Sequence, residues 1–281
     1  MDHLQRRHAP ITDDVWAVLD DEARERLTPV LAVRRLVDFR GPAGWRRSAT
    51  NLGRTERLPG AHVDGVRVLR RRVLPLIELR ASFALAREEL CDADRGAADP
   101  DLGALDDAAR RIAEAENVAV LDGWGADGVV GVRAASPHDE IPAESFESLP
   151  AAVAAAVTAL VGSGVGGPYA LALGSPEFTG VAETAEHGGY PLLDHLDRIL
   201  DGSVIRAPGL GGGLVISLRG GDFLFDCGQD LSLGYTHHDA DDVHLYLEES
   251  FSFRVATPEA AVPVRPPVHS AAPGPQAPSP R

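Results

Sequence analysis

The sequence predicts an α+β fold, with helices through the first two thirds of the chain and strands towards its end. Apolar residues recur every three to four positions in several segments before residue 202, which is the spacing of a helix with one buried face. From Val243 to Val255 apolar and polar residues alternate, with Glu249 as the one charge on the apolar face of a long strand. The 281 residues, 44% of them hydrophobic, suffice for one or two soluble domains with a core.

The helices can be placed from their start and stop signals. Thr12 is a good N-cap, and the acidic residue Asp13 follows it in the first turn, where the helix dipole favours anions. Pro29 ends or bends this helix. A second, long helix follows the cap at Asp101 and stops at Gly123. The periodicity predicts this long helix over 102–122 and further helices over 149–161, 176–187 and 191–201.

Residues 39–80 are predicted to form an extended, hairpin-like arm. Gly, Pro and Arg are frequent up to Gly65, and short apolar runs among arginines follow. The stretch from Arg34 to Arg80 holds 12 arginines and four acidic residues, whereas the rest of the chain is strongly acidic. Such an arm buries little of itself and needs a partner surface to be ordered. Docking on an acidic neighbour fits this charge distribution better than a nucleic-acid patch does.

The end of the folded chain is predicted to be β-structure followed by a tail. The segments 214–218 and 223–226 flank a Gly-Gly turn signal, which predicts a compact hairpin. The strand over 243–255 is about twice the common length of ~5–6 residues. Seven of the last 19 residues are proline and none is acidic, which predicts a disordered tail over 263–281.

The composition excludes several classes of protein. A net charge of −15 repels phosphate backbones, so no nucleic-acid partner is expected. All 27 basic residues are arginine, which excludes Schiff-base chemistry, lysine general bases and lysine crosslinks. Cys91 and Cys227 are too few for a disulfide framework. Without a signal peptide or a long apolar run, the chain is expected to be cytoplasmic, with no membrane partner.

No motif in the chain points to a catalytic or metal site. Residues 162–167 match GxGxxG, but a helix precedes them and an extended run follows, the reverse of the order that a dinucleotide site requires. The His and Asp residues from His237 to His244 have no fixed ligand spacing and are typical of a solvated turn, with metal binding as the alternative. Glu248 and Glu249 point to opposite faces of a strand and form no acid–base pair. The sequence therefore predicts neither an enzyme nor a metal centre.

Several short motifs follow one another in a single order along the chain. They are Leu74–Phe83, Asp94–Gly96, Gly167–Tyr169, His187–Pro191, Arg219–Phe223, Gly228–Tyr235, Glu248–Phe253 and Pro258–Ala260, preceded by Trp16 and Arg34–Asp38. In this order they resemble the type 1 encapsulin shell protein family, also called linocin- or bacteriocin-like, over about residues 1–262. The resemblance implies a subunit of an icosahedral nanocompartment with the tailed-phage major capsid (Hong Kong 97-type) fold, which has a peripheral domain, an extension loop and an axial domain.

The resemblance also implies domain bounds and partners. The bounds are 1–38 for the N-terminal helix and the start of the peripheral domain, 39–80 for the extension loop, 81–134 for the peripheral domain with its spine helix, 135–221 for the axial domain and 222–262 for peripheral strands. The subunit is expected to associate with itself, with a T=1 60-mer favoured, and to enclose a cargo such as a dye-decolourising peroxidase or a ferritin-like protein. A phage-type capsid protein that packages nucleic acid and a bacteriocin or hydrolase are the alternatives.

Three sets of functional residues follow from the same resemblance. A C-terminal peptide of the cargo is expected to bind Leu4, Ile11, Arg34, Leu36, Asp38, Asp230, Leu231, Leu233, Tyr235, Phe251 and Phe253, with plain core as the alternative for the two phenylalanines. The five-fold pore loop is expected at Glu186, His187, Gly188, Gly189, Tyr190 and Pro191, with a helix-connecting turn as the alternative. The arm is expected to contact a neighbouring subunit through Arg67, Arg70, Arg71 and Arg72. Some relatives bind flavin against an aromatic residue, but the run 84–90 contains none, so no cofactor is expected.

Overall fold

The computed structural model describes residues 3–59, 65–125, 128–184 and 191–267. The chain divides into two compact units, Met1–Ala135 with Gly220–Pro258, and Ser136–Arg219 with Glu259–Arg281. Each unit is built around a five-stranded sheet with helices against it, so the predicted α+β class is confirmed. No helix within the described residues is long and apolar enough to cross a membrane.

The first unit combines strands from both ends of the chain. Its helices are α1 (Asp13–Leu27), α2 (Arg87–Asp94), α3 (Gly103–Leu121) and α4 (Val132–Ala135). Its main sheet consists of β1 (Asp38–Arg40), β4 (Ile77–Ala86), β11 (Phe223–Cys227), β12 (Ser232–His238) and β13 (Asp242–Val255). Two small sheets consist of β2 (Ala49–Arg57) with β3 (Leu69–Pro75), and of β5 (Gly123–Trp124) with β6 (Val129–Val130). Single turns of 3₁₀ helix span Arg6–His8 and Val33–Arg35.

Strand β13 is the centre of the main sheet. It pairs antiparallel with β4 over residues 242–251, with β12 near its start and with β11 near its end. The alternating sequence predicts one apolar face, but Ser250 and Ser252 on the other face are also buried, at 6% and 3% exposure. The hydroxyls of Thr50 and Ser252 lie 2.8 Å apart, and the Arg80 guanidinium lies 4.1 Å from the centre of the Tyr246 ring. Because neighbouring segments cover the polar face as well, β13 is a core strand.

The hydrophobic core of the first unit lies between this sheet and helices α1 and α3. Leu19 of α1, Leu105 and Ile112 of α3 and Leu247 of β13 are at most 2% exposed and belong to one cluster. Helix α1 begins where the sequence predicts it, because the Thr12 side chain accepts a hydrogen bond from the backbone N–H three residues later at 3.4 Å. The helical periodicity of α1 and α3 therefore gives each helix one apolar face, and this face packs on the sheet.

A buried amide on α3 holds the segment that precedes β1. The Asn117 side chain is fully buried, and its Oδ1 accepts hydrogen bonds from the backbone N–H groups of Ala32 (3.1 Å) and Val33 (3.2 Å). Its Nδ2 donates to the carbonyl oxygen of Val30 at 2.9 Å. A side chain thus satisfies backbone groups that no helix or sheet satisfies, which fixes the path of the chain from α1 to β1.

The second unit has its own sheet, in the strand order β7–β14–β10–β8–β9. These strands are β7 (Ile141–Pro142), β8 (Tyr169–Leu173), β9 (Val204–Arg206), β10 (Gly213–Ser217) and β14 (Ala261–Arg265). The helices are α5 (Leu149–Gly162), α6 (Ser175–Glu183) and α7 (Leu192–Leu200). The GxGxxG sequence lies between α5 and β8, so its interpretation as a helix-to-strand loop is confirmed. Helix α6 is shorter than predicted, because Thr184 is already extended.

The predicted hairpin over 214–226 is wrong. Strand β10 pairs with β8 and β14, whereas β11 pairs with β1 and β13, so the two strands belong to different sheets. Gly220 and Gly221 both have a φ of +84°, which glycine adopts readily, and they lie where the chain passes from one unit to the other. The two glycines do form a turn, but the strands on either side of it pair with other strands and not with each other.

The predicted bounds of the last segments also differ from the structure. Strand β14 pairs with β10, so residues 259–262 belong to the second unit and not to the peripheral strands 222–262. Val262 and Val264 are fully buried, and the strand continues to Arg265, past the predicted start of the tail at 263. Residues 268–281 of the predicted tail lie outside the described residues.

The arm over 39–80 contains an antiparallel hairpin, as the sequence suggests. Strands β2 and β3 pair from Ala49 with Pro75 to Arg57 with Leu69, with an irregularity near Asn51. The paired part ends at residue 75, because the following residues from Ile77 onward pair with β13 in the main sheet. Residues 77–80 therefore belong to the main sheet of the unit and not to the arm.

Replacing Asn117 with alanine should destabilise the first unit. The variant leaves the backbone N–H of Val33 buried without its acceptor and leaves the N–H of Ala32 with the Val30 carbonyl alone, which costs about 1–3 kcal/mol of unfolding free energy. Glu114→Ala, at an exposed position of the same helix, is the matched control and should change the unfolding free energy by less than about 0.5 kcal/mol. Urea unfolding measures both; equal stabilities of the two variants would contradict the role of Asn117.

Candidate functional site

A groove lies between helix α1, the turn after it and strand β12 in the first unit. Its volume is about 270 Å³. Apolar side chains form much of its lining: Ala23, Leu27, Leu31, Leu231, Leu233 and Leu247. Polar and charged side chains complete it: Asp20, Arg24, Thr28, Arg34, Asp230 and Ser232. A concave surface with an apolar lining and a few charged groups is suited to hold side chains of another molecule.

Local sequence patterns explain both walls of the groove. On α1, Asp20, Ala23 and Leu27 are spaced at three and four, so they lie along one side of the helix. On the opposite wall, Leu231 and Leu233 are two residues apart and share a face at the start of β12. Leu27 and Leu233 are 6% and 1% exposed and also belong to the core, so the groove has a rigid base.

Arg34 anchors one end of the groove in a cluster of three carboxylates. Its Nη2 lies 3.0 Å from Glu116 Oε2 and 3.1 Å from Glu249 Oε2, and its Nη1 lies 2.8 Å from Asp230 Oδ1. The side chains of both glutamates are fully buried, whereas that of Asp230 is 38% exposed. The guanidinium also lies 4.9 Å from the centre of the Phe39 ring. One cation therefore links the segment before β1 to α3, β13 and the groove lining.

The protonation states in this cluster follow from burial and mutual charge. Burial acts to lower the pKa of Arg34, but the charges of Glu116 and Glu249 outweigh it and raise that pKa above the ordinary arginine value. Burial, followed by the charge of Glu116, raises the pKa of Glu249 well above its usual value, against the opposing effect of Arg34.

Cys227 lies beside the same charges and is an unreactive thiol. Burial, with the charges of Asp230 and Glu249, raises the pKa of Cys227 to about 12. A thiol with such a pKa holds almost no thiolate at neutral pH, and the thiolate is the nucleophile and the metal ligand. Cys91 is exposed, and neither cysteine is in a disulfide.

A second groove, of about 460 Å³, lies against the amino-terminal half of α1. Arg6, Arg7, Ala9, Ile11, Asp13, Trp16, Ala17 and Asp20 line it. Arg6 binds both carboxylate oxygens of Asp20 at 2.8 and 2.6 Å, donates from Nε to the Leu233 carbonyl at 2.9 Å, and lies 4.5 Å from the centre of the Trp16 ring. Arg6 therefore holds the segment before α1 against both α1 and β12.

The structure brings part of the predicted peptide site together. Arg34, Asp230, Leu231 and Leu233 line the first groove, and Ile11 lines the second. The Leu4 carbonyl accepts a hydrogen bond from the Tyr235 backbone N–H at 2.8 Å, and the Tyr235 hydroxyl is 2.6 Å from His238 Nδ1. These contacts place the N-terminal segment along β12.

Other residues of the predicted peptide site lie away from the groove surface. Leu36, Phe251 and Phe253 are 2%, 0% and 5% exposed and belong to the core, where Phe251 stacks on Phe225 with ring centres 4.5 Å apart. Asp38 lies on β1 and accepts a hydrogen bond from the Gly221 backbone N–H at 2.5 Å. The sequence interpretation missed Asp20 and Leu27; their helical spacing on α1 is the signal that could have found them.

The other two predicted sets are only partly described. Glu186, His187, Gly188, Gly189 and Tyr190 of the predicted pore loop lie outside the described residues, and Pro191 directly precedes α7. All four predicted arm arginines are exposed. Arg70 lies 2.9 Å from Glu56 on the neighbouring strand. Of the His- and Asp-rich stretch, only residues 239–241 form the turn between β12 and β13, and its three histidines lie on these two strands. Among the described residues, no three His, Cys, Asp or Glu side chains are placed to hold a metal ion together.

Replacing Glu249 with glutamine tests the protonation of the buried cluster. The folded pKa lies above the unfolded value of about 4.3, so the stability from this carboxyl is fully present below about pH 4.3 and is lost as the pH rises through the folded pKa. Glutamine does not titrate. The unfolding free energy of Glu249→Gln relative to that of the parent chain should therefore rise between about pH 4.5 and 7.5. Guanidinium unfolding across this range measures the difference.

The control for this experiment is Glu114→Gln, on the exposed side of α3. Its stability relative to the parent chain should not change with pH in the same way, because the Glu114 carboxyl is solvated. Parallel curves for Glu249→Gln and the parent chain would contradict a raised pKa at this site.

Comparison with known proteins gives consistent matches over nearly the whole chain. The Linocin_M18 family model, described as "Encapsulating protein for peroxidase", matches residues 1–252. The type 1 encapsulin shell protein of Rhodospirillum rubrum is 47% identical over 272 residues, which cover 94% of this chain and 97% of that protein. These two matches bear on the family.

Two solved structures bear on the fold. The virus-like particle from Pyrococcus furiosus has a TM-score of 0.61 at 18% identity and covers 88% of this chain and 98% of its own. The capsid of an empty GTA particle has a TM-score of 0.52 at 14% identity and covers 84% of this chain and 89% of its own. The capsid-type fold implied by the sequence resemblance is thus confirmed.

The family follows from the extent of the sequence matches. The family model covers far more than half of the chain, and the R. rubrum protein is matched over almost its full length. That relative is named as a shell protein. The chain belongs to the encapsulin shell protein family and is a structural protein.

Proposed function

We propose that copies of this chain assemble into a closed icosahedral compartment in the cytoplasm that encloses a cargo protein, with a T=1 60-mer as the favoured shell. The observation that carries this proposal is the arm, because its hairpin makes a surface that its own subunit leaves uncovered. The capsid-type fold and the family both support the proposal. Catalysis in such a particle belongs to the cargo.

The hairpin of the arm exposes apolar side chains that favour contact with another subunit. Val66, Val68, Leu69 and Val73 are 54%, 40%, 49% and 50% exposed. An isolated two-stranded hairpin is at best marginally stable in water, and an exposed apolar row next to it favours association. A second copy of the chain supplies the missing surface.

The charge distribution also favours a second copy of the chain as the partner of the arm. The arm carries Arg54, Arg57, Arg67, Arg71 and Arg72, whose side chains have no salt bridge within the described part of the chain. The chain as a whole has a net charge of −15, so a neighbouring copy presents an acidic surface to these arginines. Because there is no lysine, association through lysine–asparagine isopeptide bonds is excluded and the shell is held noncovalently.

Reversing the charge of the arm should prevent assembly without unfolding the subunit. In the variant Arg67→Glu/Arg70→Glu/Arg71→Glu/Arg72→Glu, exposed acidic side chains meet an acidic neighbour and repel it. Particles should be lost in negative-stain electron microscopy and light scattering, while far-UV circular dichroism stays that of the parent.

The matched control carries lysine at the same four positions. It keeps the charge and should still form particles. Intact particles from the glutamate variant would overturn the role of the arm.

The absorbance ratio at 260 and 280 nm of parent particles separates an enclosed protein from packaged nucleic acid, the alternative that a phage-type capsid would require.

The groove beside α1 is the proposed binding site for a C-terminal peptide of the cargo. Its apolar base can take apolar side chains, while Arg34 and Asp230 at its end can orient the peptide through charge and hydrogen bonds. The family is described as an encapsulating protein for peroxidase, which supports a peroxidase as cargo. A dye-decolourising peroxidase is the first candidate and a ferritin-like protein the second. Small ions and substrates would pass a pore at the loop 186–191.

Introducing a charge into the groove should block cargo loading. Leu231→Asp places a carboxylate on the apolar lining, and the amount of peroxidase that copurifies with particles should fall at least tenfold. The peroxidase is coexpressed with its own C-terminal segment, and a copy without that segment sets the background. Val161→Asp, at a position 60% exposed on α5, is the control and should load normally. Equal loading of both variants would contradict this site.

A further inference from the structure

Two imidazoles lie next to each other on the strands on either side of the turn between β12 and β13. His237 and His244 are partners across the antiparallel pair, directly after an irregularity in the register at Tyr235. Their ring centres are 4.1 Å apart and their planes differ by 6°. His237 is exposed and the His244 side chain is 34% exposed, so both rings are accessible from solvent in the subunit.

A carboxylate in the same turn orients one of these rings. Asp239 Oδ1 accepts hydrogen bonds from the backbone N–H groups of Asp241 (2.9 Å) and Asp242 (2.8 Å). Its Oδ2 lies 3.4 Å from His244 Nε2. A carboxylate oxygen accepts hydrogen bonds and does not donate them. The Nε2–H tautomer of His244 follows from this acceptor, and its Nδ1 keeps a free lone pair.

We propose that His237 and His244 chelate one divalent transition-metal ion, with water completing the coordination and Asp239 holding His244 in position. Two imidazole nitrogens that bind one ion at about 2.0–2.1 Å lie about 3 Å apart. The two rings lie at partner positions across the strand pair with their centres 4.1 Å apart, so rotation about their side-chain torsions can turn one nitrogen of each towards a common ion. A carboxylate that accepts from the second nitrogen of a metal-bound histidine is a common supporting arrangement.

The neighbouring groups favour a cation and leave the two rings free for it. Asp239, Asp241 and Asp242 make the turn acidic. Arg87 donates from Nη1 to the Asp239 carbonyl oxygen at 3.1 Å and not to the carboxylate. His238 points to the opposite face, where its Nδ1 lies 2.6 Å from the Tyr235 hydroxyl.

The ligand set selects the class of metal. Imidazole nitrogen suits Cu²⁺, Ni²⁺ and Zn²⁺, whereas Mg²⁺ and Ca²⁺ require oxygen ligands. Because no third His, Cys, Asp or Glu among the described residues converges with the pair, the site is open to solvent. It is therefore distinct in chemistry from the apolar groove proposed for the cargo peptide.

Isothermal titration of metal-free assembled protein with NiCl₂ tests the proposal. The parent should show a saturable site with one Ni²⁺ per subunit, and MgCl₂ should give no heat of binding. His237→Ala and His244→Ala should each weaken this site at least tenfold. His238→Ala, on the opposite face of the same strand, is the matched control and should bind like the parent.

Two further measurements separate a positioning role from a structural one. Asp239→Asn should weaken Ni²⁺ binding by about tenfold without lowering the metal-free unfolding temperature, since asparagine still accepts from the backbone of the turn. Ni²⁺ should raise the unfolding temperature of the parent and not that of His237→Ala/His244→Ala. Absence of a saturable site in the parent, or unchanged Ni²⁺ affinity in both alanine variants, would overturn the proposal.

Discussion

The guanidinium of Arg34 fixes the arrangement on which the first unit depends. It binds Glu116 from α3 and Glu249 from β13, both without solvent exposure. Without the cation these carboxylates would be buried without an opposite charge, at a cost of about 3–5 kcal/mol. Asn117, the next residue of α3, binds the backbone of the segment that carries Arg34. Two adjacent residues of one helix thus hold this segment in place, one by charge and one by neutral hydrogen bonds, and the end of the groove is fixed with it.

The helices could be predicted because their signals are local. The N-cap of α1 and the apolar stripe of α3 depend on residues three or four positions apart, and both helices appear at the expected places. Strand partners depend on residues far apart in the chain, which a turn motif cannot report. The Gly220–Gly221 turn therefore predicted a hairpin between two strands that join different sheets. The sequence did not predict strand β14, because the strand contains Pro263 and proline is also frequent in the tail that follows. In the structure Pro263 pairs with Leu214 in the sheet.

Of the predicted peptide-site residues, two charged ones lie in the groove beside α1. Arg34 and Asp230, chosen as charges that could pair with a peptide, do line a groove and also bind each other. Phe251 and Phe253 were chosen as apolar residues of one strand face, but β13 is covered on both faces and both rings are core. The sequence shows which residues are apolar, whereas their exposure depends on strands that pair from distant parts of the chain.

The position of β13 along the chain has a consequence for the order of events during synthesis. Strand β4 is complete at residue 86, but its partner β13 begins only at residue 242, and the second sheet waits for β14 at 261–265. Neither sheet can close until nearly the whole described chain has been made, so most native contacts are nonlocal and folding is slow. The arginine-rich hairpin is therefore synthesised early, before the two sheets that another copy could contact are complete. The strand order itself thus separates translation from the association of copies that we propose.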